Sequence, residues 1–257
     1  MTFIASTNYL TEVQKGLVDK FSLIHKFGRN ETVPNGSWAF VSLLGHTGWP
    51  LTAATTVRVK AGNAADDTAG AGAQSITVQG IDSNLDEITE DITTAGASAS
   101  SATTASFWRV HRAWVKVTGT YGAANTGDVV IENSAGGTDL IKIAAAEGQT
   151  QFCGFTIPNT FKGYLNHLII HADSVNNTRN FNIRLFTREK FNTTSAPNML
   201  PPRIKLFFDG VAGTVDYRPP GPGIVIDELS DVWVEAYGDG TTGEVSASME
   251  IILEDKS

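Results

Sequence analysis

The stretch VSASMEIIL, residues 245–253, decides the class of fold that this chain adopts. Every second position is apolar: Val245, Ala247, Met249, Ile251 and Leu253. The positions between them are mostly polar: Ser246, Ser248, Glu250 and Ile252. Successive side chains of a β-strand point to opposite faces, so the pattern predicts a strand with one face in a core.

The same period of two recurs along the chain after Pro50. It predicts further strands at 57–60, 76–79, 114–117, 128–131, 140–143, 152–157, 164–170, 181–187, 204–208 and 232–236. Turn signals rich in Gly, Asp and Pro separate these runs, and no helical pattern intervenes. We therefore expect an all-β protein, an antiparallel β-sandwich over residues 51–257. Because about eight to ten strands are available, a jelly roll is the first choice.

The first fifty residues have a different pattern. Residues 8–20 carry weakly helical spacing, which predicts one short helix. Residues 21–50 are irregular and aromatic, and they include Phe27, Trp38, Phe40 and Trp49. We expect residues 1–50 to form an N-terminal arm that anchors the protein to a partner, with these four aromatic residues as the contacts.

Composition limits the classes of partner. The chain has 257 residues, of which only 18% are charged, and its net charge is −8. Lys and Arg do not cluster, which argues against nucleic-acid binding, and the nearest candidate, Arg109 with Arg112, lies in a strand pattern. No apolar run reaches the roughly 18 residues of a membrane span, and the N-terminus lacks the basic start of a signal peptide. We expect synthesis in a cytoplasm and use in soluble form.

The loop AGNAADDTAGAGAQSITVQGID, residues 61–82, is the first candidate site. It has neither the lysine nor the following helix of a phosphate cradle. Asp66 and Asp67 suit a hard cation only in a bent loop, so we favour solvated carboxylates or an Asx-type turn at Asp67. Asp82 begins a D-x-N-x-D pattern, but Glu87 stands where a calcium loop needs glycine, which predicts a simple turn.

Other chemistry-bearing residues show no convincing spacing. His167 and His171 would lie about 13 Å apart along one side of a strand, too far to share a metal ion. The single cysteine, Cys153, lies in an apolar run and is expected to be a buried, inert thiol. No G-x-S-x-G or H-E-x-x-H motif occurs. We therefore predict no catalytic residue, cofactor or metal.

The five tryptophans are expected to pack in the core or at interfaces, with a sugar-stacking platform as the alternative.

Several segments resemble a family of tailed-phage virion proteins. These are residues 61–82 and 87–93, FWRVHRAW at 107–114, NTGD at 125–128, AEGQT at 146–150, FTIP at 155–158 and the strand at 245–253. The resemblance runs from about residue 26 to the C-terminus and consists of turns and strand edges. It implies a capsid decoration (cement) or head-fibre protein with a jelly-roll body, often a homotrimer, and no active site.

Three functions follow from these observations as hypotheses. The first is a non-enzymatic virion protein on the capsid surface, with the phage major capsid protein and further copies of itself as partners. The second is a carbohydrate- or receptor-binding sandwich of a fibre or tail. The third is a glycan hydrolase whose two carboxylates come from distant strands, for which no residue in the sequence gives support. We take the first as the prediction.

Overall fold

The computed structural model describes residues 9–173, 180–195, 197–220, 223–240 and 242–257. Within this part, one short helix precedes sixteen strands. The elements are α1 (Tyr9–Gln14), β1 (Phe21–Val33), β2 (Trp38–Phe40), β3 (Thr55–Ala61), β4 (Ala73–Asp82), β5 (Glu87–Thr93), β6 (Ser106–Thr118), β7 (Val129–Asn133), β8 (Asp139–Ile143), β9 (Gly154–Thr156), β10 (Phe161–Ala172), β11 (Asn180–Arg188), β12 (Arg203–Val211), β13 (Gly213–Tyr217), β14 (Ile224–Ile226), β15 (Asp231–Asp239) and β16 (Gly243–Asp255). No helix among these residues is long and apolar enough to cross a membrane.

Two antiparallel sheets form a sandwich with jelly-roll topology. The first sheet has the order β1-β16-β10-β13, with β14 also on β10, and the second has the order β12-β11-β15-β2, with β9 also on β15. Numbering the eight strands of these two paths along the chain gives the orders 1-8-3-6 and 5-4-7-2. This interleaving of early and late strands is the jelly-roll arrangement. The prediction of an all-β, jelly-roll-like sandwich with one short N-terminal helix is confirmed.

The alternation in residues 245–253 decides how the first sheet packs. The apolar set that begins at Val245 and ends at Leu253 is buried and belongs to the core between the two sheets. The opposing sheet supplies its own alternate residues to the same core, including Ile183, Leu185 and Val234. Each strand thus contributes one face to the interior, as the period of two requires.

A third sheet is inserted into the chain between β2 and β9. It has six strands in the order β5-β4-β6-β3-β7-β8 and a hydrophobic core separate from that of the sandwich. Residues from both ends of this sheet, such as Ile92 on β5 and Ile143 on β8, share that core. The inserted sheet therefore curves around a single interior. The predicted single sandwich over 51–257 did not distinguish this insertion, because its strands have the same period of two.

The inserted sheet covers half of the outer face of the second sandwich sheet. Phe40, Phe186 and Trp233 point away from the sandwich interior and belong to the core of the inserted sheet instead. Phe186 stacks on Trp233 with 5.3 Å between ring centroids, and Phe40 lies 5.7 Å from Trp233. These aromatic side chains join the two parts of the molecule.

The predicted N-terminal arm needs correction. Residues 1–8 lie outside the described residues, but β1 pairs with β16 from Phe21 to Val33, and β2 pairs with β15. Most residues from Phe21 to Phe40 therefore belong to two strands of the sandwich, β1 and β2. Alternation in β1 was hidden because Lys26, Gly28 and Asn30 occupy inward positions that are usually apolar. At Gly28 a β-carbon would collide with backbone atoms of Val41 and Cys153, so this position requires glycine.

A buried ion pair connects the inserted sheet to the sandwich. Arg109 on β6 donates from Nε and Nη2 to the two oxygens of Asp231 on β15, at 3.0 and 2.9 Å. Its Nη1 donates to the carbonyls of Leu51 and Trp108, and Thr156 donates to Asp231 at 2.7 Å. The guanidinium also lies between aromatic rings, 5.0 Å from the centroid of Trp49 and 4.7 Å from that of Phe191. Both charges are thus paired and hydrogen-bonded away from water.

We expect Asp231→Asn to lower the free energy of unfolding by about 3–5 kcal/mol, because it leaves the Arg109 charge buried without a counter-charge. Replacing both partners, in Arg109→Met/Asp231→Leu, should cost less than the single change, since no charge then stays buried. Urea unfolding gives the free energy of unfolding of the wild type, of Asp231→Asn and of Arg109→Met/Asp231→Leu. As a control, Arg203→Met removes an exposed pair with Glu189 at 3.7 Å and should change stability by less than about 1 kcal/mol. Equal losses for Asp231→Asn and Arg203→Met would contradict this account.

Candidate binding surfaces

The outer face of the second sheet remains open beyond the inserted sheet. Trp38 on β2 and Tyr237 on β15 are opposite each other in the register, with ring centroids 5.3 Å apart. Phe207 on β12 meets Trp38 edge to face at 6.1 Å. Trp38 and Tyr237 are cross-strand neighbours on adjacent strands, whereas Phe207 reaches Trp38 across β11 and β15. The aromatic surface that begins under the inserted sheet therefore continues into solvent.

Arg184 on β11 marks the border between the covered and open halves. Its guanidinium carbon lies 3.7 Å from the centroid of Trp38 and 4.4 Å from that of Phe186. Nε and Nη2 donate to Glu235 at 2.9 and 2.7 Å, and Trp233 donates to the other oxygen of Glu235 at 2.7 Å. The arginine is held rigidly, and one face of the Trp38 indole is occupied by it.

A β-bulge adds an aliphatic residue to this face. Phe207 pairs with Arg184, but Ile204 rather than Lys205 pairs with Phe186, because the register slips by one residue at Lys205. The slip rotates Ile204 onto the outer face, three positions from Phe207. Both side chains are 50% exposed. We call Trp38, Arg184, Ile204, Phe207 and Tyr237 together the exposed strip.

A second surface lies on the opposite side of the sandwich. Within residues 245–253 of β16, the side chains that point outward include those of Ser246 and Ser248, which are small. Phe27 and Ile169 are both opposite Ser248 in the register, on β1 and β10. Large side chains on either side of small ones form a shallow channel along β16, and Arg29 and His171 line it next to Ser246. We call these six residues the serine groove.

Ion pairs surround Arg29 in the serine groove. Its guanidinium lies 2.9 Å from Glu31, 3.5 Å from Glu147 and 4.0 Å from Glu244. Glu147 belongs to the segment that follows the inserted sheet, so these contacts bring that segment to the edge of the groove. The groove thus combines apolar walls, a hydroxyl floor and a charged end.

The four predicted partner contacts have different positions. Trp38 lies in the exposed strip and Phe27 in the serine groove, on opposite outer faces, and their role in partner binding stays a prediction. Phe40 is only 2% exposed and contacts Phe152 and Trp49 within the chain, and Trp49 lies in the same cluster. A partner role for Phe40 is therefore corrected, because its ring is buried where the inserted sheet attaches. Trp49 is partly exposed, and its role in partner binding stays a prediction.

Most residues of the exposed strip were not predicted from the sequence. Arg184, Ile204, Phe207 and Tyr237 lie in runs that were predicted as strands or next to them, but their direction was not assigned. Alternation indicates that Arg184 and Tyr237 point away from the sandwich core. It fails for Ile204, because only the bulge places that residue outside.

The aspartate-rich loop has a structural role. Asp66 is fully buried, where we expected solvated carboxylates, and this expectation is corrected. Its Oδ1 accepts from the amides of Ala73 and Thr126 at 2.8 and 2.7 Å, and Oδ2 accepts from Gly127 at 2.8 Å. Charge-assisted bonds of this kind hold two loops together. Asp67 Oδ1 accepts from the amide of Ala69, two residues on, at 3.4 Å, which is the contact of the expected Asx-type turn.

The other candidate metal ligands do not come together in one site either. Asp82 accepts from the amides of Asn84 and Asp86, so this segment is the predicted turn. His167 contacts Asp216 at 2.7 Å, while His171 contacts Thr214 at 3.0 Å. Across the described ranges, no three His, Cys, Asp or Glu side chains come together as a metal-binding group.

A buried polar cluster lies where β1 meets the inserted sheet. Lys26 is almost fully buried and donates to the backbone carbonyl of His111, whose ring contacts Glu87 at 3.2 Å. Burial, with the nearby charge of Arg112, lowers the pKa of Lys26 to about 7. Burial also raises the pKa of Cys153 to about 12, which agrees with the predicted inert thiol.

Comparisons with known proteins give only weak matches. No protein-family model and no curated protein match the chain. Among solved structures, the chain is similar to one of the infectious bursal disease virus Gt strain, with a TM-score of 0.26, 11% identity, and coverage of 91% of this chain and 72% of the other. It is also similar to infectious bursal virus-derived T=1 particles, with a TM-score of 0.23, 9% identity, and coverage of 93% and 75%. This is weak similarity to viral particle proteins, and scores of this size carry no argument about function.

We expect the stability of the protein to rise with pH between about 7 and 9. The pKa of Lys26 is about 7 in the folded chain and 10.5 ordinarily, so in this window the unfolded chain binds a proton that the folded chain lacks. The free energy of unfolding then increases by up to about 1.4 kcal/mol per pH unit. The thiol of Cys153 has the opposite effect only above its ordinary pKa of 9.

Urea unfolding at several pH values in this window tests the expectation. Lys26→Met keeps the length of the side chain and should remove most of the slope. Lys60→Met alters an exposed lysine and should leave it unchanged. If wild type and Lys26→Met show the same slope, Lys26 is not the group responsible.

Proposed function

We propose that the protein is a non-enzymatic structural component of a virion that binds and stabilises the assembled head of a tailed phage. In this proposal it is a decoration or cement protein on the capsid surface. It is made in the host cytoplasm, and its partner is the major capsid protein.

The observation that carries the proposal is the jelly-roll strand order of the sandwich. Jelly rolls are frequent among viral capsid and lectin domains. A fold alone does not define a function, so the choice between these classes needs further support. The sequence resemblance to tailed-phage virion proteins supports the capsid class.

The serine groove is the surface that we assign to the shell. Phe27 was predicted as a partner contact, and Ile169, on the other wall of the groove, is 37% exposed. Apolar walls beside a floor of hydroxyl groups suit an extended segment of a partner, which needs both buried apolar area and hydrogen bonds. The charged group around Arg29 limits which segments fit at one end.

Binding of this kind stabilises a capsid by mass action. A protein that binds the assembled shell, and not its free subunits, shifts the assembly equilibrium by RT ln(1 + [L]/Kd), where [L] is its free concentration. No chemical step is required. Many copies on one shell add their contributions.

One observation favours carbohydrate or receptor binding as the second candidate. Trp38 and Tyr237 are neighbouring aromatic residues on an open sheet face, as in sugar-binding platforms. Stacking of a sugar needs a free aromatic face, however, and Arg184 covers one face of Trp38. We therefore place this function second.

Association with heads is the test. We expect mass spectrometry of gradient-purified virions from the source of this sequence to detect the chain in many copies per particle. Heads stripped of it should bind the recombinant protein in a sedimentation assay. Phe27→Ala/Ile169→Ser should weaken that binding at least about tenfold, a loss of about 1.4 kcal/mol.

Tyr121→Ala is the matched control, because Tyr121 is fully exposed and lies in a loop of the inserted sheet. Deleting residues 1–50 is not a suitable test, since the deletion removes β1 and β2 from the sandwich. Absence of the chain from purified heads would overturn the proposal. Binding to a glycan array that Trp38→Ala abolishes would favour the second candidate instead.

A further inference from the structure

We propose that the exposed strip is a contact between two copies of this chain related by a two-fold axis. The inference goes beyond the proposed function, because it concerns the surface opposite to the serine groove. It depends on the apolar residues of the strip and on the two charges that flank Phe207 on β12, Lys205 and Asp209.

The strip has the composition of an interface. Ile204 and Phe207, each half exposed, lie beside Trp38 and Tyr237 on one continuous face. Trp, Tyr and Arg are the residue types that contribute most binding energy at protein interfaces, and Arg184 is here fixed in place by Glu235. The strip also continues an interface that exists already, since the inserted sheet covers the other half of the same face.

The charges of β12 identify the occupant. Lys205 lies two residues before Phe207 and Asp209 lies two residues after it, and both are exposed. Within the described part of the chain, neither has a partner of opposite charge. On β12 a basic residue therefore precedes Phe207 and an acidic residue follows it, and this arrangement around Phe207 is complementary to its own copy turned by 180°.

An axis near Phe207 brings the matching groups together. The two Phe207 rings meet at the axis, and Lys205 of each copy faces Asp209 of the other. The bulge at Lys205 makes continuous strand pairing between two β12 edges unfavourable, so the contact is made by side chains. Pairing of one patch with itself defines a two-fold contact, whereas a closed trimer joins two different patches. The strip therefore argues for a two-fold assembly in place of the trimer that the sequence resemblance implies.

Exchanging the charges of Lys205 and Asp209 provides the sharpest test. Sedimentation equilibrium over a range of protein concentrations should give the mass of a dimer for the wild type. Lys205→Asp and Asp209→Lys should each raise the dimer dissociation constant at least about tenfold, because like charges then face each other. The double variant Lys205→Asp/Asp209→Lys should restore dimers, since it exchanges the two charges and opposite charges face each other again. Mixing the two single variants should produce heterodimers.

Phe207→Asp should also give monomers, while Tyr121→Asp, which places the same charge on an exposed aromatic residue elsewhere, should leave the dimer unchanged. Thermal unfolding checks that every variant is folded. A wild type that stays monomeric at its highest soluble concentration, a trimeric mass, or a double variant that fails to restore association would overturn the inference. Head binding measured with Phe27→Ala/Ile169→Ser is independent of these masses, so failure of the proposed function is distinguishable from failure of the two-fold contact.

Discussion

The ion pair between Arg109 and Asp231 is the constraint on which the arrangement of the molecule depends. Removal of both charges from water is costly, and such pairs often contribute little net stability. Their value is geometric, because two parallel hydrogen bonds fix both distance and angle. Here they hold β6 of the inserted sheet against the start of β15. This position determines which half of the outer sheet face is covered and which half stays open.

The outer face of the second sandwich sheet carries aromatic side chains both where the inserted sheet covers it and where it stays open. Phe186 and Trp233 are buried under the inserted sheet, whereas Trp38 and Tyr237, one row further, are partly exposed. Arg184 lies between the two rows and contacts both. A jelly roll that would otherwise have two solvent-facing sheets thus has one sheet partly occupied by its own insertion. Its free surfaces, the serine groove and the exposed strip, lie on opposite sides of the sandwich and can be engaged at the same time.

The sequence predicted the regular part of the fold and few of its exceptions. Alternation in residues 245–253 identified β16 and its buried face, because each inward position there is apolar. In β1 the same rule failed, since Lys26 faces β6 of the inserted sheet and Gly28 faces the backbone of Val41 and Cys153, so neither position holds an apolar side chain. The boundaries of the insertion carry no signal, because both parts are built from short strands. Ile204 was beyond prediction for a different reason: a slip of one residue in the register changes the face of a side chain.

The pairing of β1 with β16 has a consequence for biosynthesis. Phe21 is opposite Glu254, so β1 has no neighbour in its sheet until β16, more than 200 residues later, has left the ribosome. The inserted sheet, which lies entirely within residues 55–143, is complete much earlier. Local units fold first during translation, and long-range strand pairing is slow. The insertion is therefore expected to act as a preformed template, and β1 must wait, unpaired, until β16 has been synthesised.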